Sequence, residues 1–183
     1  MKYMFASDIH GSAYWCGRLL QAFEREKADR LVLLGDELYH GPRNPLPDGY
    51  APKEVYEMLN GIADKIIAVR GNCDSEVDQM VLDFPIMADY AMLELGGVSV
   101  MATHGHLFSD DGIPRGAKIV ISGHTHLVRN EYCCGVLRLN PGSVSLPKEN
   151  SARGYIVCEN GVFTFRTLDG EKYDETPCLL RES

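Results

Sequence analysis

Short apolar segments alternate with amphipathic ones in the first half of the chain. Three segments have the length and apolar character of buried strands: Lys2–Ser7, Leu31–Leu34 and Lys65–Val69. Between them lie two segments with apolar residues at helical spacing, Ser12–Lys27 and Lys53–Ile62. This β-α-β-α-β order predicts a parallel sheet with right-handed crossovers.

The second half contains strand pairs separated by turn dipeptides. Gly96-Gly97 and Asn160-Gly161 are typical of two-residue hairpin turns, so we expect mainly antiparallel strands here. The predicted strands are Tyr90–Leu95, Val98–Thr103, Lys118–Ser122, Val128–Cys133, Val136–Asn140, Gly154–Cys158 and Val162–Thr167. The tail, Leu168–Ser183, has no clear period, and its structure is left open.

Length and composition predict one soluble domain that spans residues 1–183. Of the 183 residues, 45% are apolar and 24% are charged, as in ordinary globular proteins. No apolar run reaches the roughly 18 residues that a membrane helix needs. The N-terminus enters a strand at once, without a signal peptide, so we expect a cytoplasmic protein. The six cysteines form no CxxC pair, which is typical of free cytosolic thiols.

The formal net charge of the chain is −8. This charge argues against non-specific binding to nucleic acid or to an anionic membrane. It argues less strongly against a phosphate substrate, because bound metal ions can reverse the local charge. The sequence leaves homo-oligomerisation open.

Polar side chains with metal-binding chemistry follow the predicted strands. Asp36 stands after Leu31–Leu34 and Gly35, at the strand end where ligands bind in open α/β sheets. A carboxylate has two oxygens and can bind two metal ions at once, and we expect this of Asp36. Five of the six histidines belong to the same set, which is hard to explain without metal. The set comprises Asp8, His10, Asp36, Asn72, His104, His106, His124 and His126.

The spacing of these residues supports a shared site. Residues i and i+2 of an extended chain point to the same side, so we expect Asp8 to face the site together with His10. His124 and His126 have the same spacing. Carboxylate, amide oxygen and imidazole ligands suit Mn²⁺, Fe²⁺ or Zn²⁺ better than Mg²⁺ or a thiolate-bound structural zinc.

Five motifs resemble, in order, those of the calcineurin-like metallophosphoesterases: SDIHG, LLGDELYHG, VRGNCD, THGH and SGHTH. Three further segments, GPRN, SEVDQM and NPGSVSLPK, resemble the small single-domain YfcE-type bacterial phosphodiesterases. The resemblance extends from Lys2 to about Lys148. It is highly specific for fold and metal site, and less specific for substrate.

The resemblance implies an α/β protein with a four-layer α/β/β/α sandwich, in which helices flank two mixed sheets. Both sheets would end at a dinuclear site with two divalent ions, Mn²⁺ being expected and Fe²⁺ or Zn²⁺ being alternatives. It places the first ion on Asp8, His10, Asp36 and His126, and the second on Asp36, Asn72, His104 and His124. A hydroxide shared by the ions would attack a small phosphodiester in line.

Cys73 departs from the pattern of many relatives, which have histidine at this position of the GN motif. That histidine contacts the phosphate or protonates the leaving group. A thiol with its usual pKa of about 8.5 is a weak proton donor. Hydrolysis of esters with poor leaving groups, which need that proton most, would therefore be slowed most. Cys73 thus weakens the case for a broad phosphomonoesterase and leaves diester hydrolysis open. The alternative is that the side chain is a buried small hydrophobe without a catalytic role.

Three other residues near these motifs have two interpretations each. His106 can contact the substrate or brace its loop. Arg43, in a loop rich in proline and glycine, can clamp a phosphate oxygen or lie on the surface. Asp74 is a candidate hydrogen-bond acceptor that orients a ligand histidine.

Two alternatives to a phosphodiesterase remain. The same fold also serves as a protein-interaction scaffold, as in the retromer subunit that resembles these enzymes. A monoesterase is the other alternative, and Cys73 weakens it. All seven ligands that the resemblance implies are present, which favours an enzyme over a scaffold.

Overall fold

A computed structural model of the chain describes residues 1–108, 112–113 and 116–178. Its strands are β1 (Tyr3–Ala6), β2 (Arg30–Leu33), β3 (Ile66–Ala68), β4 (Tyr90–Leu95), β5 (Val98–Thr103), β6 (Ile119–Ile121), β7 (Val128–Cys133), β8 (Val136–Pro141), β9 (Gly154–Glu159), β10 (Val162–Thr167) and β11 (Lys172–Pro177). Its helices are α1 (Ala13–Glu26), α2 (Pro52–Asn60) and the short α3 (Glu76–Gln79), with a 3₁₀ turn at Ala63–Lys65.

The strands form two mixed sheets. The first has the order β11-β10-β9-β1-β2-β3, and the second has the order β4-β5-β6-β8-β7. Strands β1, β2 and β3 are parallel, as the β-α-β-α-β pattern predicts. The hairpins β4–β5 and β9–β10 are also confirmed. The tail, whose structure the sequence left open, adds β11 antiparallel to β10.

Two features of the second half differ from the expectation of antiparallel strands that pair with their neighbours in the chain. β6 lies parallel to β5 on one side and to β8 on the other. The β9–β10 hairpin joins the first sheet, because β9 pairs with β1 rather than with the neighbouring hairpin. The second sheet therefore has parallel strands at its centre, whose carboxyl ends meet at one edge.

One of the two large apolar cores lies between the facing sheets. Alternate residues of the strands fill it, including Phe5, Val100 and Phe163, which are fully buried. The opposite face of the first sheet packs against α1 and α2, whose buried residues include Leu19 and Leu59. Burial on both faces explains why β1, β2 and β3 are largely apolar.

The outer face of the second sheet carries a smaller apolar cluster. Met101 and Val120 are buried there against Phe108 and Ile113. Within the described part of the chain this face has no helix against it, and residues 109–111 and 114–115, between β5 and β6 in the sequence, lie outside that part. The α/β class with two packed mixed sheets is confirmed. No helix among the described residues is long and apolar enough to cross a bilayer.

Candidate metal centre

The carboxyl ends of strands from both sheets meet at one edge of the molecule. The loops after β1, β2 and β3 come from the first sheet, and those after β5 and β6 come from the second. Backbone hydrogen bonds connect neighbouring loops: His10 N–H donates to Asp36 O at 2.8 Å, and Gly123 N–H donates to His104 O at 3.1 Å. Across the sheets, the Ser143 hydroxyl donates to Asp8 O at 2.8 Å. This network holds the predicted residues in one cluster.

Five of these residues have left-handed backbone conformations. Their φ angles are 59° at Asp8, 50° at His10, 61° at Asp36, 67° at His124 and 62° at His126. The extended i, i+2 geometry expected from the sequence is therefore wrong, although the side chains converge as predicted. For an L-residue this conformation costs about 1–2 kcal/mol, and such strain is concentrated at functional sites.

One group of side chains lies around Asp8. Its Oδ1 atom is 3.4 Å from His10 Nε2 and 3.2 Å from His126 Nε2. The two Nε2 atoms are themselves 3.1 Å apart. All three side chains are buried, and together they form a group that could hold a metal ion.

A second group lies around Asp36. Its Oδ2 atom is 3.5 Å from His104 Nε2, and it is also 3.7 Å from His10 Nε2 in the first group. Asn72 Oδ1 lies 3.0 Å from His104 Nε2. Asp36 therefore connects the two groups. Its Oδ2 atom faces both of them, whereas the sequence analysis considered one carboxylate oxygen for each metal ion.

The orientation of three imidazoles fits a cation. His10, His104 and His126 each have Nδ1 within hydrogen-bonding distance of a backbone carbonyl, which can only accept. The carbonyls belong to Tyr39, Leu34 and Leu146, at 2.8, 2.7 and 2.6 Å respectively. Each Nδ1 therefore donates to its carbonyl, and each Nε2 faces the cluster, where its lone pair can bind a cation. Facing lone pairs this close need a positive charge between them, which a proton or a metal ion can supply.

The two oxygens of Asp8 have different surroundings. Oδ2 accepts the Ser7 hydroxyl at 2.6 Å and the His124 N–H at 3.1 Å. Oδ1 is buried, has no hydrogen-bond partner among the described residues, and faces the imidazoles. Burial alone would raise the pKa of Asp8, but the interactions with His10 and His126 hold it well below its usual range. Asp8 is thus an ionised ligand candidate with one oxygen free.

Close backbone approach positions Asp36. Cys73 N–H donates to its Oδ1 at 2.8 Å, which leaves Oδ2 for the histidines. A Cβ atom on Gly71 would lie 2.1 Å from Oδ1, so only glycine fits beside this carboxylate. Burial raises the pKa of Asp36 above its usual value, so the ionised form gains from a bound cation.

Asp74 has a different role from the one expected. Its carboxylate accepts the backbone N–H groups of Asp36 at 2.9 Å, Glu37 at 3.0 Å and Gly71 at 2.6 Å. These hydrogen bonds connect the loop after β2 to the loop after β3. The prediction that Asp74 orients a ligand histidine is therefore wrong.

Glu37, the residue after Asp36, was not singled out in the sequence, yet it is buried. Burial, followed by the charge of Asp74, raises the pKa of Glu37 well above its usual range. Burial thus favours the neutral form of this carboxyl group. The sequence signal was an acidic residue after Gly-Asp, but its burial depends on the tertiary fold.

His124 and His106 lie on the side of the second group. Their rings are 5.0 Å and 5.3 Å from the His104 ring. Burial, followed by the positive charge of His104, lowers the pKa of His124 to about 4. The imidazole of His124 is therefore neutral and available as a ligand. Burial likewise lowers the pKa of His106, so this ring is a neutral neighbour of the site.

Cys73 is half-buried at the rim of the centre. Burial, followed by the charge of Asp36, raises the pKa of its thiol to about 12. The side chain is therefore neutral at physiological pH and is not a nucleophile. Its sulfur could also form a group with His10 and Asp36 that holds a metal, a possibility that the sequence analysis did not include.

A pocket of about 420 Å³ opens over Asp36 and His124. Its wall includes two cations, Arg43 and Lys148, and we call it the cationic pocket. The structure thus places Arg43 beside the centre, where it would have to lie in order to clamp a phosphate oxygen. Lys148 was missed, although it ends a quoted motif, because nothing local indicates that this loop folds back to β6. Lys148 N–H donates to His126 O at 3.2 Å, which fixes it there.

Two packed mixed sheets with histidines and aspartates at a shared carboxyl edge define a phosphoesterase fold. The chain belongs to the calcineurin-like phosphoesterase superfamily, whose domain model matches residues 1–160. It is 48% identical to phosphodiesterase YfcE of Escherichia coli K12 over 173 residues, which cover 93% of this chain and 94% of that one. It is 27% identical to the probable metallophosphoesterase YsnB of Bacillus subtilis, over 92% of this chain and 91% of that one.

Solved structures give the same result for the fold. The E. coli phosphoesterase YfcE matches with a TM-score of 0.93 and 46% identity, over 98% of this chain and all of that one. Vps29 of Entamoeba histolytica, in complex with Zn²⁺, matches with a TM-score of 0.66 over 98% of this chain and 100% of that one. At 19% identity the second match shows the fold alone.

Proposed function

We propose that this chain is a phosphodiesterase that uses two divalent metal ions. The observation that carries the proposal is the position of Asp36 Oδ2, between His10 Nε2 at 3.7 Å and His104 Nε2 at 3.5 Å. The first ion would be held by Asp8, His10, Asp36 and His126, and the second by Asp36, Asn72, His104 and His124. The similarity to phosphodiesterase YfcE over most of both chains supports the same reaction.

The protein groups of the site bind and orient the substrate. When bound, the ions would supply Lewis acidity that lowers the pKa of water and balances charge on the phosphoryl oxygens. Asp8 and Asp36 would offset only half of the positive charge of two divalent ions, so an anionic phosphate is attracted despite the acidic chain. Arg43 and Lys148 are placed to bind further phosphate oxygens.

Cys73 favours diesters over monoesters in this proposal. A thiol with a pKa of about 12 carries no positive charge and is a poor acid near neutral pH. Cys73 therefore gives a dianionic monoester with a poor leaving group little help, either as a proton donor or as a positive charge. A monoanionic diester with an activated leaving group needs less of this help. His106, beside His104, is proposed to contact the substrate or to brace the loop.

Membership of the family does not by itself determine four further parts of the proposal. The Mn²⁺ preference, the cytoplasmic location, the single domain over residues 1–183 and homo-oligomerisation all stay predictions. A protein-interaction scaffold has only fold similarity behind it, and the complete set of metal-binding side chains favours the enzyme.

A substrate panel tests this function. Metal-stripped protein should hydrolyse bis(p-nitrophenyl) phosphate after Mn²⁺ is added. It should turn over p-nitrophenyl phosphate at least about tenfold more slowly, because the neutral Cys73 thiol supplies no positive charge to the dianionic monoester. The measurement is kcat/KM for both esters, with metal-stripped protein as the control. A faster monoester reaction would indicate a monoesterase, and no reaction with any added metal would favour the scaffold.

A further inference from the structure

A second cleft adjoins the metal centre on the other side of Cys73. It has a volume of about 450 Å³, and we call it the tyrosine cleft because three tyrosines line it. Its lining includes Tyr39, Tyr50, Tyr56, Val77 and Val81, together with Cys73. Because Cys73 also lines the cationic pocket, the two spaces share this half-buried side chain.

The wall of this cleft exposes apolar groups that a folded protein normally covers. The exposed fractions are 41% for Tyr39, 69% for Val77 and 37% for Val81. Single exposed apolar residues are common, but here they surround one concavity next to the proposed reaction centre. Concave apolar surfaces beside polar reactive groups are typical of substrate sites.

The cleft is preformed rather than dependent on a movable loop. The His40 ring lies edge-on between Tyr39 and Tyr50, with ring centroids 4.8 Å and 5.2 Å away. A capping box between Ser75 and Asp78 fixes the start of α3, which carries Val77. Tyr39 is also tied to the centre, since its carbonyl accepts from His10 Nδ1.

The charge of the cleft contrasts with that of the cationic pocket. The described residues that line the tyrosine cleft include the acidic Asp78 but no lysine or arginine. The cleft therefore suits a neutral group, whereas Arg43 and Lys148 suit an anionic one. A cavity of about 150 Å³ is enough for a benzene ring, so this cleft has room for an aromatic group of one or two rings.

We infer that the tyrosine cleft binds a neutral aromatic ester group of the substrate. The phosphate would lie at the metal centre, and the aromatic group would extend past Cys73 into the tyrosine cleft. This inference rests on the proposed function and narrows it to phosphodiesters that carry at least one aromatic group. Edge and face contacts with tyrosine would contribute to binding beyond simple burial.

Binding of two phosphonates tests the inference without relying on turnover. Mn²⁺-loaded protein should bind phenylphosphonate roughly three- to tenfold more tightly than methylphosphonate, as expected for added aromatic contacts. In Tyr39→Ala and in Val77→Ser this ratio should fall toward unity. Both side chains are exposed, so the fold should persist. Tyr132→Ala, which removes a 59% exposed tyrosine on β7, is the matched control and should keep the wild-type ratio. The measurement is the calorimetric Kd of each phosphonate.

Several results would overturn the assignment. One is a wild-type ratio of the two phosphonate affinities in both cleft variants. The others are equal affinity of the wild type for both phosphonates, and no binding of either phosphonate. A drop in molecular mass of Val81→Asp in sedimentation, relative to wild type, would show that a second copy of the chain covers the cleft. The proposed function is judged separately, since Tyr39-dependent phenyl binding without turnover of any diester would contradict the enzyme and leave the cleft assignment standing.

Discussion

Asp36→Asn should reduce kcat/KM for bis(p-nitrophenyl) phosphate by more than about 10³-fold and should abolish binding of at least one metal ion. Loss of a mere hydrogen-bond partner of a metal ligand costs about 10–100-fold, and Asp36 is proposed to hold both ions directly. The neutral amide keeps the shape of the side chain, and its carbonyl oxygen can still accept from Cys73 N–H. Elemental analysis and steady-state kinetics are the measurements.

Stability separates this effect from misfolding. Burial raises the pKa of Asp36, so its ionised form costs folding free energy when no metal is bound. Without metal, Asp36→Asn should therefore match or exceed the Tm of the wild type, whereas the rise of Tm with Mn²⁺ should be lost. Asp83→Asn changes an exposed carboxylate before β4 and should behave as wild type. Two bound ions and near-normal turnover in Asp36→Asn would show that Asp36 is not the bridge.

Cys73→His should raise the ratio of monoester to diester kcat/KM by at least about tenfold. An imidazole with a pKa of about 6.5 can donate a proton near neutral pH, and its cation can stabilise phosphoryl charge. A p-nitrophenolate leaves readily without a proton, so the aryl diester should change little, whereas alkyl and monoester substrates should gain. Cys73 lines the cationic pocket, so a larger side chain can extend into that space.

Cys73→Ser provides the matched control for this change. It removes the thiol without adding an imidazole, so the wild-type ratio should persist. The ratios are compared at fixed Mn²⁺ and pH, with metal content checked for each variant. If Cys73→His leaves the ratio unchanged with metal and fold intact, Cys73 does not set the ester preference. The Arg43 loop and the tyrosine cleft would then be the next determinants to test.

The sequence predicted the strands and the helical order because those signals are local. Apolar runs, turn dipeptides and helical spacing placed β4, β5 and β10 at the residues that the structure gives. Sheet membership was less accessible, since the pairing of β9 with β1 joins residues more than a hundred positions apart. Local patterns carry no information on such a contact, which depends on how the whole core packs.

In the candidate site, too, some features could be predicted from the sequence and others could not. The convergence of Asp8, Asp36 and the histidines was predictable, because carboxyl ends of parallel strands meet at one edge. The left-handed backbone at five of these residues was not, since nothing in the residue types prescribes a φ near +60°. Asp74, Glu37 and Lys148 likewise obtained their positions from contacts between loops rather than from their own motifs.

Anomalous scattering from crystals grown with Mn²⁺ tests the central claim most directly. Two manganese peaks should be present, one among Asp8, His10, Asp36 and His126, and the other among Asp36, Asn72, His104 and His124. About 3.5–4 Å is the usual separation of such ion pairs, with Asp36 between them. In His124→Ala only the second peak should disappear. A single peak in the wild type, or peaks away from Asp36, would contradict a dinuclear centre bridged by this residue.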